Sequence, residues 1–240
     1  MPRLTDDTRI YAVGDVHGER RLLEELLEMI KDDARGREPV ATQRLIFLGD
    51  YVDRGPDTHG VVERLLTGLP PGFQPEFLMG NHERLLLDAL DAGDKLSLWL
   101  YNGGEPALAS YGLTPRTLRN LGRGSEAARA IDDAIGARHL EFYRTLQLSA
   151  TYGDYFFTHA GVRPGITLDA QKPSDLIWIR EPFLSFTGTL EKIVVHGHTP
   201  VPVPAIRPHR IGIDTGAFQT GRLTAVRLEG DDVSFLTASG

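Results

Sequence analysis

Leu45-Ile46-Phe47-Leu48-Gly49-Asp50-Tyr51-Val52-Asp53-Arg54-Gly55 runs from four apolar residues straight into a charged turn. An apolar run of that length, rich in β-formers, reads as a buried strand. The glycine behind it permits positive φ and a close approach of backbone to an ion or a phosphate. The same device recurs in Ile10-Tyr11-Ala12-Val13-Gly14-Asp15 and in Phe77-Leu78-Met79-Gly80-Asn81-His82. It returns, with histidine as the polar residue, in Tyr155-Phe156-Phe157-Thr158-His159 and Ile193-Val194-Val195-His196-Gly197-His198. Between these runs, Leu22, Leu23, Leu26, Leu27 and Ile30 form an apolar stripe at helical spacing, and Val61, Val62, Leu65 and Leu66 form another. Strands alternating with helices predict an α/β fold, with ligands beyond the carboxyl ends of the strands.

The middle of the chain reads differently. Leu85–Leu90, Lys95–Leu100, Ser125–Ile135 and His139–Leu146 are helical in pattern, with breaks at Gly103-Gly104 and Gly122–Gly124, and no strand is expected between His82 and Leu148. Short strands return at Arg210–Asp214, Leu223–Leu228 and Val233–Leu236, after a Pro200–Pro208 stretch that reads as a loop or an edge-like extension. The expectation is one domain over 1–240 with a helical insertion near 83–148.

Composition narrows the chemistry. The 240 residues contain no cysteine, which excludes disulfide frameworks, thiolate metal sites and cysteine nucleophiles. Any metal must be held by nitrogen and oxygen donors. With 26 Lys+Arg against 33 Asp+Glu the formal charge is −7, a poor match to a nucleic-acid surface. No apolar segment has the ~18 residues of a membrane span, and the acidic Met1–Asp7 start has no apolar signal region, so a cytoplasmic location is expected.

Four segments combine metal-binding residue types with tight turns: Gly14-Asp15-Val16-His17-Gly18, Gly49–Gly55, Gly80-Asn81-His82-Glu83, and the pair His159 and His198. Asp15 and His17 have the strand period of two and can face one side. Two aspartates, an asparagine and three histidines make a mixed N/O donor set, suited to two divalent ions such as Mn²⁺, Fe²⁺ or Zn²⁺.

These segments resemble the signature of the phosphoprotein phosphatase family of calcineurin-like metallophosphoesterases: GDxHG, GDxVDRG and GNHE, followed by two isolated histidines. Trp99-Leu100-Tyr101-Asn102-Gly103-Gly104, Trp178-Ile179-Arg180-Glu181, His196-Gly197-His198-Thr199-Pro200 and Ile213-Asp214-Thr215-Gly216 are similar to blocks in its small bacterial and phage-type serine/threonine phosphatases. The resemblance implies two packed mixed β-sheets flanked by helices, an α/β/β/α sandwich. It implies that Asp15, His17 and Asp50 hold one ion, that Asp50, Asn81, His159 and His198 hold the other, and that Mn²⁺ is the expected metal. His82 becomes the general acid, oriented by Asp53 and charged by that neighbouring carboxylate, and Arg54 and Arg180 grip the phosphate together with Asn81 and His82. The implied reaction is hydrolysis of phosphoserine or phosphothreonine in a phosphoprotein or phosphopeptide, by direct attack of a metal-bridging hydroxide.

Each residue also has a bland reading. An aspartate after a strand is usually a turn or helix cap, an asparagine there a left-handed turn residue, and a lone histidine a satisfied core group; the joint pattern is what favours chemistry. His196 competes with His198 from two residues away. His59, Asp32-Asp33 and Asp132-Asp133 read as solvated helix positions, and Gly122-Arg123-Gly124 as a loop. The first rival function is a symmetrical dinucleoside polyphosphate hydrolase cutting diadenosine tetraphosphate; such relatives commonly lack an acid between the Val and Arg of the second motif, where this chain has Asp53. An inactive phosphate-binding scaffold is the second rival, and a nuclease the third.

Overall fold

The computed structural model describes residues 2–4, 7–92, 95–114, 116–117 and 125–240. Two five-stranded sheets lie face to face. One has the order β10-β9-β1-β2-β3 and the other β4-β5-β6-β8-β7. In the first, β1 (Thr8–Val13) and β2 (Thr42–Phe47) pair in parallel, β3 (Gln74–Phe77) continues the parallel run, and β9 (Arg222–Glu229) and β10 (Asp232–Ser239) close the other side antiparallel. In the second, β5 (Tyr155–Thr158), β6 (Ile193–His196) and β8 (Arg210–Gly212) are parallel, with β4 (Ser149–Tyr152) and β7 (Ala205–Arg207) antiparallel at the edges.

The period of two in the strands decides the layers. Ile10, Ala12, Ile46 and Leu48 face the second sheet, where they meet Tyr155, Phe157, Val195, Ile211 and Ile213 in an apolar inter-sheet core. Tyr11, Val13, Leu45 and Phe47 face the other way, onto the leucine stripe of α1 (Arg20–Arg35) and the Val61, Val62 and Leu65 face of α2 (Thr58–Thr67). On the outer face of the second sheet, Phe156 and Val194 pack against Leu176 and Ile177 of the short helix Pro173–Trp178. The result is the expected α/β/β/α sandwich.

Between β3 and β4 every described element is helical: α3 (Asn81–Ala92), Leu96–Trp99, a π turn over Leu100–Gly104, Glu105–Ser110, Ser125–Ile135 and Ala137–Arg144. The expected break at Gly103 is a kink with φ of 109°. The Gly122–Gly124 segment lies outside the described residues. Pro200–Pro208 contains the edge strand β7, so of its two sequence readings the edge-like one holds. One expectation fails: Asp33 is not a solvated helix acid. It is half-buried, accepts from Tyr11 Oη at 2.6 Å and receives Arg37 and Arg227, because β1 and β9 bring a tyrosine and an arginine beneath the end of α1.

Truncating Ile46, fully buried between the sheets, to alanine removes its methyl groups and leaves a cavity, which costs about 2–5 kcal/mol. Urea unfolding of Ile46→Ala should show a lower midpoint at unchanged slope; a midpoint equal to that of the parent chain would mean that this layer is not the core.

Candidate active site

The carboxyl ends of β1, β2 and β3 deliver their loops to one place. Gly49 makes the turn after β2 at φ 105°, and Asp50, Asp53 and Arg54 follow at φ 52°, 69° and 67°. His17 and His198 are also left-handed, at φ 45° and 63°. A non-glycine residue in that region costs of order 1–3 kcal/mol and persists only where its surroundings hold it. Here five of the sequence-flagged residues share the strain, and Glu83 is what holds three of their neighbours. Its buried carboxylate accepts the backbone N–H of Tyr51 (2.7 Å), of Val52 (3.2 Å), and of Asp50 and Gly80 (2.9 Å each). Burial and the charge of Asp50 push Glu83 up to about 8, against the four N–H donors that favour its charged form.

Asp50 stands at the N-terminus of α3, where its Oδ1 accepts the His82 backbone N–H at 3.0 Å. The positive end of that helix and the free N–H both favour a carboxylate. Its Oδ2 faces His17 Nε2 at 3.4 Å and His159 Nε2 at 3.5 Å, so one oxygen lies between the two histidine groups. A Cβ on Gly80 would collide with Asp50 Oδ1, which explains the glycine in the third motif.

The ring hydrogen bonds show what these histidines offer. His17 Nδ1 donates to the Val52 carbonyl (2.8 Å) and His159 Nδ1 to the Leu48 carbonyl (3.0 Å). Each then turns a lone pair on Nε2 toward Asp50. His159 Nε2 also meets Asn81 Oδ1 at 2.9 Å, acceptor against acceptor. His198 Nε2 is buried without a hydrogen-bond partner. Burial holds His159 down at about 3 and His198 at about 2, and pushes His17 well below its ordinary value, so all three rings are neutral. Lone pairs converging on a carboxylate, with no proton between them, are a donor set that a cation satisfies. The ligand atoms of Asp50, His159 and His198 lie within 4.8 Å of one another, as do those of His17, Asp50 and His82. Asp15 joins from the opposite wall, where its carboxylate accepts the His198 N–H at 3.1 Å. The residues present therefore fit divalent metal.

His82 and Asp53 form a second unit. His82 Nδ1 lies 2.7 Å from Asp53 Oδ2, and Trp99 Nε1 donates to both Asp53 oxygens at 3.0 Å. The expectation that Asp53 makes His82 a cation is not what the resting structure shows. Burial pushes His82 below its ordinary value, Asp50 pulls it up and Arg54 pushes it further down. Arg54 Nη2 is 3.3 Å from His82 Nε2, and its guanidinium rests over the Phe218 ring at 4.8 Å. Arg180 is exposed, at the rim of the same cleft, and its charge is felt by Asp50, His159, His198 and Asp214. Of the sequence-flagged set, Asp15, His17, Asp50, Arg54, Asn81, His82, Arg180 and His198 all line this cleft of about 310 Å³, while Asp53 and His159 lie just behind its wall. His196 points away and meets Arg210 at 3.3 Å.

Three residues were not given roles by sequence. Glu83 and Trp99 lie behind the site, in segments the sequence reading quoted without giving either residue a role. Asp214 had a readable signal: it ends the strand-like run Arg210–Asp214, as Asp15 and Asp50 end theirs. It is buried in the cleft wall, pushed up to about 6 by burial, with its charge felt by Asp15.

Comparison with known proteins shows what the chain resembles as a whole. The chain is 29% identical to serine/threonine-protein phosphatase 2 of Escherichia coli over 92% of its own length and 93% of that protein. It is 25% identical to the asymmetrical bis(5'-nucleosyl)-tetraphosphatase PrpE of Oceanobacillus iheyensis, over 91% and 88%. Among solved structures, a cold-active protein-tyrosine phosphatase of a Shewanella species shares the fold with a TM-score of 0.57 and 18% identity, over 99% of this chain and 83% of that one. The model of the calcineurin-like phosphoesterases matches residues 8–231. A match running from the first strand through the ninth makes this chain a member of the calcineurin-like phosphoesterase family.

Proposed function

We propose that this metallophosphoesterase hydrolyses phosphomonoesters, with protein phosphoserine and phosphothreonine as substrates. The observation that carries the reading is the buried Asp53–His82 pair, braced by Trp99. An alkoxide is a poor leaving group and needs a proton from a positioned acid, whereas a nucleoside phosphate leaves more readily without one.

Asp15, His17 and Asp50 would hold one divalent ion, and Asp50, Asn81, His159 and His198 the other, with Mn²⁺ suited to this sulfur-free set. When bound, such ions would acidify water and screen the negative charge of the phosphoryl oxygens. The chain's own residues do the rest. Arg54 and Arg180 offer bidentate hydrogen bonds to the phosphoryl oxygens. A phosphate dianion held by Arg54 sits beside His82 Nε2, and its charge raises the pKa that burial has lowered. His82 then takes up a proton at Nε2 and gives it to the leaving oxygen, while Asp53 fixes the ring through Nδ1.

A second reading is dinucleoside polyphosphate hydrolysis. It is favoured by the bis(5'-nucleosyl)-tetraphosphatase relatives and by Trp178, 43% exposed at the cleft, whose face offers a base a stacking surface.

Three outcomes are expected. Chelator-treated protein should be inactive and recover with Mn²⁺; full turnover in the metal-free state would sink the metal-dependent reading. Asp53→Asn should slow alkyl phosphates by about 10²–10⁴-fold, the range for general-acid catalysis, and activated aryl phosphates far less. Equal losses would remove His82 from that role. In a side-by-side assay, kcat/KM should be higher for a phosphoserine peptide than for diadenosine tetraphosphate, and the reverse order would hand the assignment to the second reading.

A further inference from the structure

Away from the cleft, a second cluster of ligand-type side chains joins α2 to the helical insertion. His59 and Glu63 are four residues apart on α2 and so share one face. His139, on the helix Ala137–Arg144, lies opposite them. Its Nε2 is 2.8 Å from Glu63 Oε1, and its ring centroid is 5.2 Å from that of His59. One ligand atom from each of the three residues lies within 4.8 Å of the others. Neither His59 nor His139 belonged to the ligand set read from the sequence.

We propose that His59, Glu63 and His139 bind a single transition-metal ion, Zn²⁺ by the chemistry of the donors, and that the ion fastens the insertion to α2. Two imidazoles and one carboxylate, with a fourth position open to water, suit zinc and outrank manganese in affinity. The outer contacts are those that a ligating histidine uses. His139 Nδ1 is 2.7 Å from Tyr111 Oη, which is 3.1 Å from Tyr143 Oη. When His139 gives up the proton between Nε2 and Glu63, Nδ1 can carry it and donate to Tyr111, whose hydroxyl turns to Tyr143, so no charge is left buried.

The graded exposure gives an ion a way in. His139 is buried, Glu63 half-buried and His59 open to solvent. The competitor for Glu63 is Arg138, at 3.2 Å from Oε1. Its side chain is 56% exposed, and an exposed ion pair of this kind is weak and readily displaced. The site is anchored at both ends: His59 N donates to Ser110 Oγ at 3.0 Å, and the Tyr111 ring lies edge-on to the His59 ring at 5.2 Å. A bound ion would add a further tie between α2 and the insertion.

The test counts metal. Parent chain, His59→Gln and Glu63→Gln, each kept in excess Mn²⁺, are dialysed against the same Zn²⁺ solution and analysed by mass spectrometry of the metals. The parent should retain one equivalent of zinc more than either variant, and Zn²⁺ should raise the Tm of the parent more than that of either variant. Turnover supported by Mn²⁺ should be unchanged in both variants, since neither residue reaches the cleft. Because the readout is a difference, zinc entering the catalytic cleft cancels. Equal zinc in all three proteins, or an equal rise in Tm, overturns the proposal. His59 is exposed, so its variant tests binding without disturbing the core.

Discussion

The carboxylate of Glu83 is the tie on which the site depends. It collects four backbone N–H groups from the turns that follow β2 and β3, and so fixes Asp50 at the N-terminus of α3. Backbone donors buried at a sheet edge must find acceptors, and no strand continues there to supply them. One side chain meets that demand at Asp50, while farther along the turn the N–H of Asp53 goes to Thr58 Oγ1 at 3.2 Å and that of Arg54 to the Gly103 carbonyl at 2.9 Å, and all three residues are left-handed. The strain sits at residues that the sequence had flagged for chemistry, Asp50, Asp53 and Arg54 among them.

A second constraint is electrostatic. The chain carries a net charge of −7, and its cleft gathers Asp15, Asp50 and Asp214. Burial pushes each of the three upward, which expresses the cost of crowding carboxylates away from water. Neutral histidines do not relieve it. Under the proposed function, divalent cations held there would, with Arg54 and Arg180, turn the local field from one that repels a phosphate into one that holds it.

The fold was largely legible because its signals are local. The alternation in Ile10–Val13 and Leu45–Leu48 gives each strand two apolar faces, and the stripe Leu22–Ile30 gives α1 its single face. Asp33 was misread because its partners, Tyr11 and Arg227, come from strands distant in sequence. The pairing of His59 and Glu63 with His139 was invisible for the same reason: one helix supplies two of them, and packing across the insertion supplies the third.

By itself the sequence determined that Asp15, Asp50, Asn81, His159 and His198 follow strand-like apolar runs, that thiolate donors are absent and that strands alternate with helices, since each follows from residue type at short spacing; the two-sheet layering came from the family resemblance. Only the tertiary structure decided that Asp50 Oδ2 lies between His17 and His159, that Trp99 and Asp53 brace His82, and that His82 rests below its ordinary pKa. Those facts depend on distance and burial between segments tens of residues apart, which spacing along the chain does not encode.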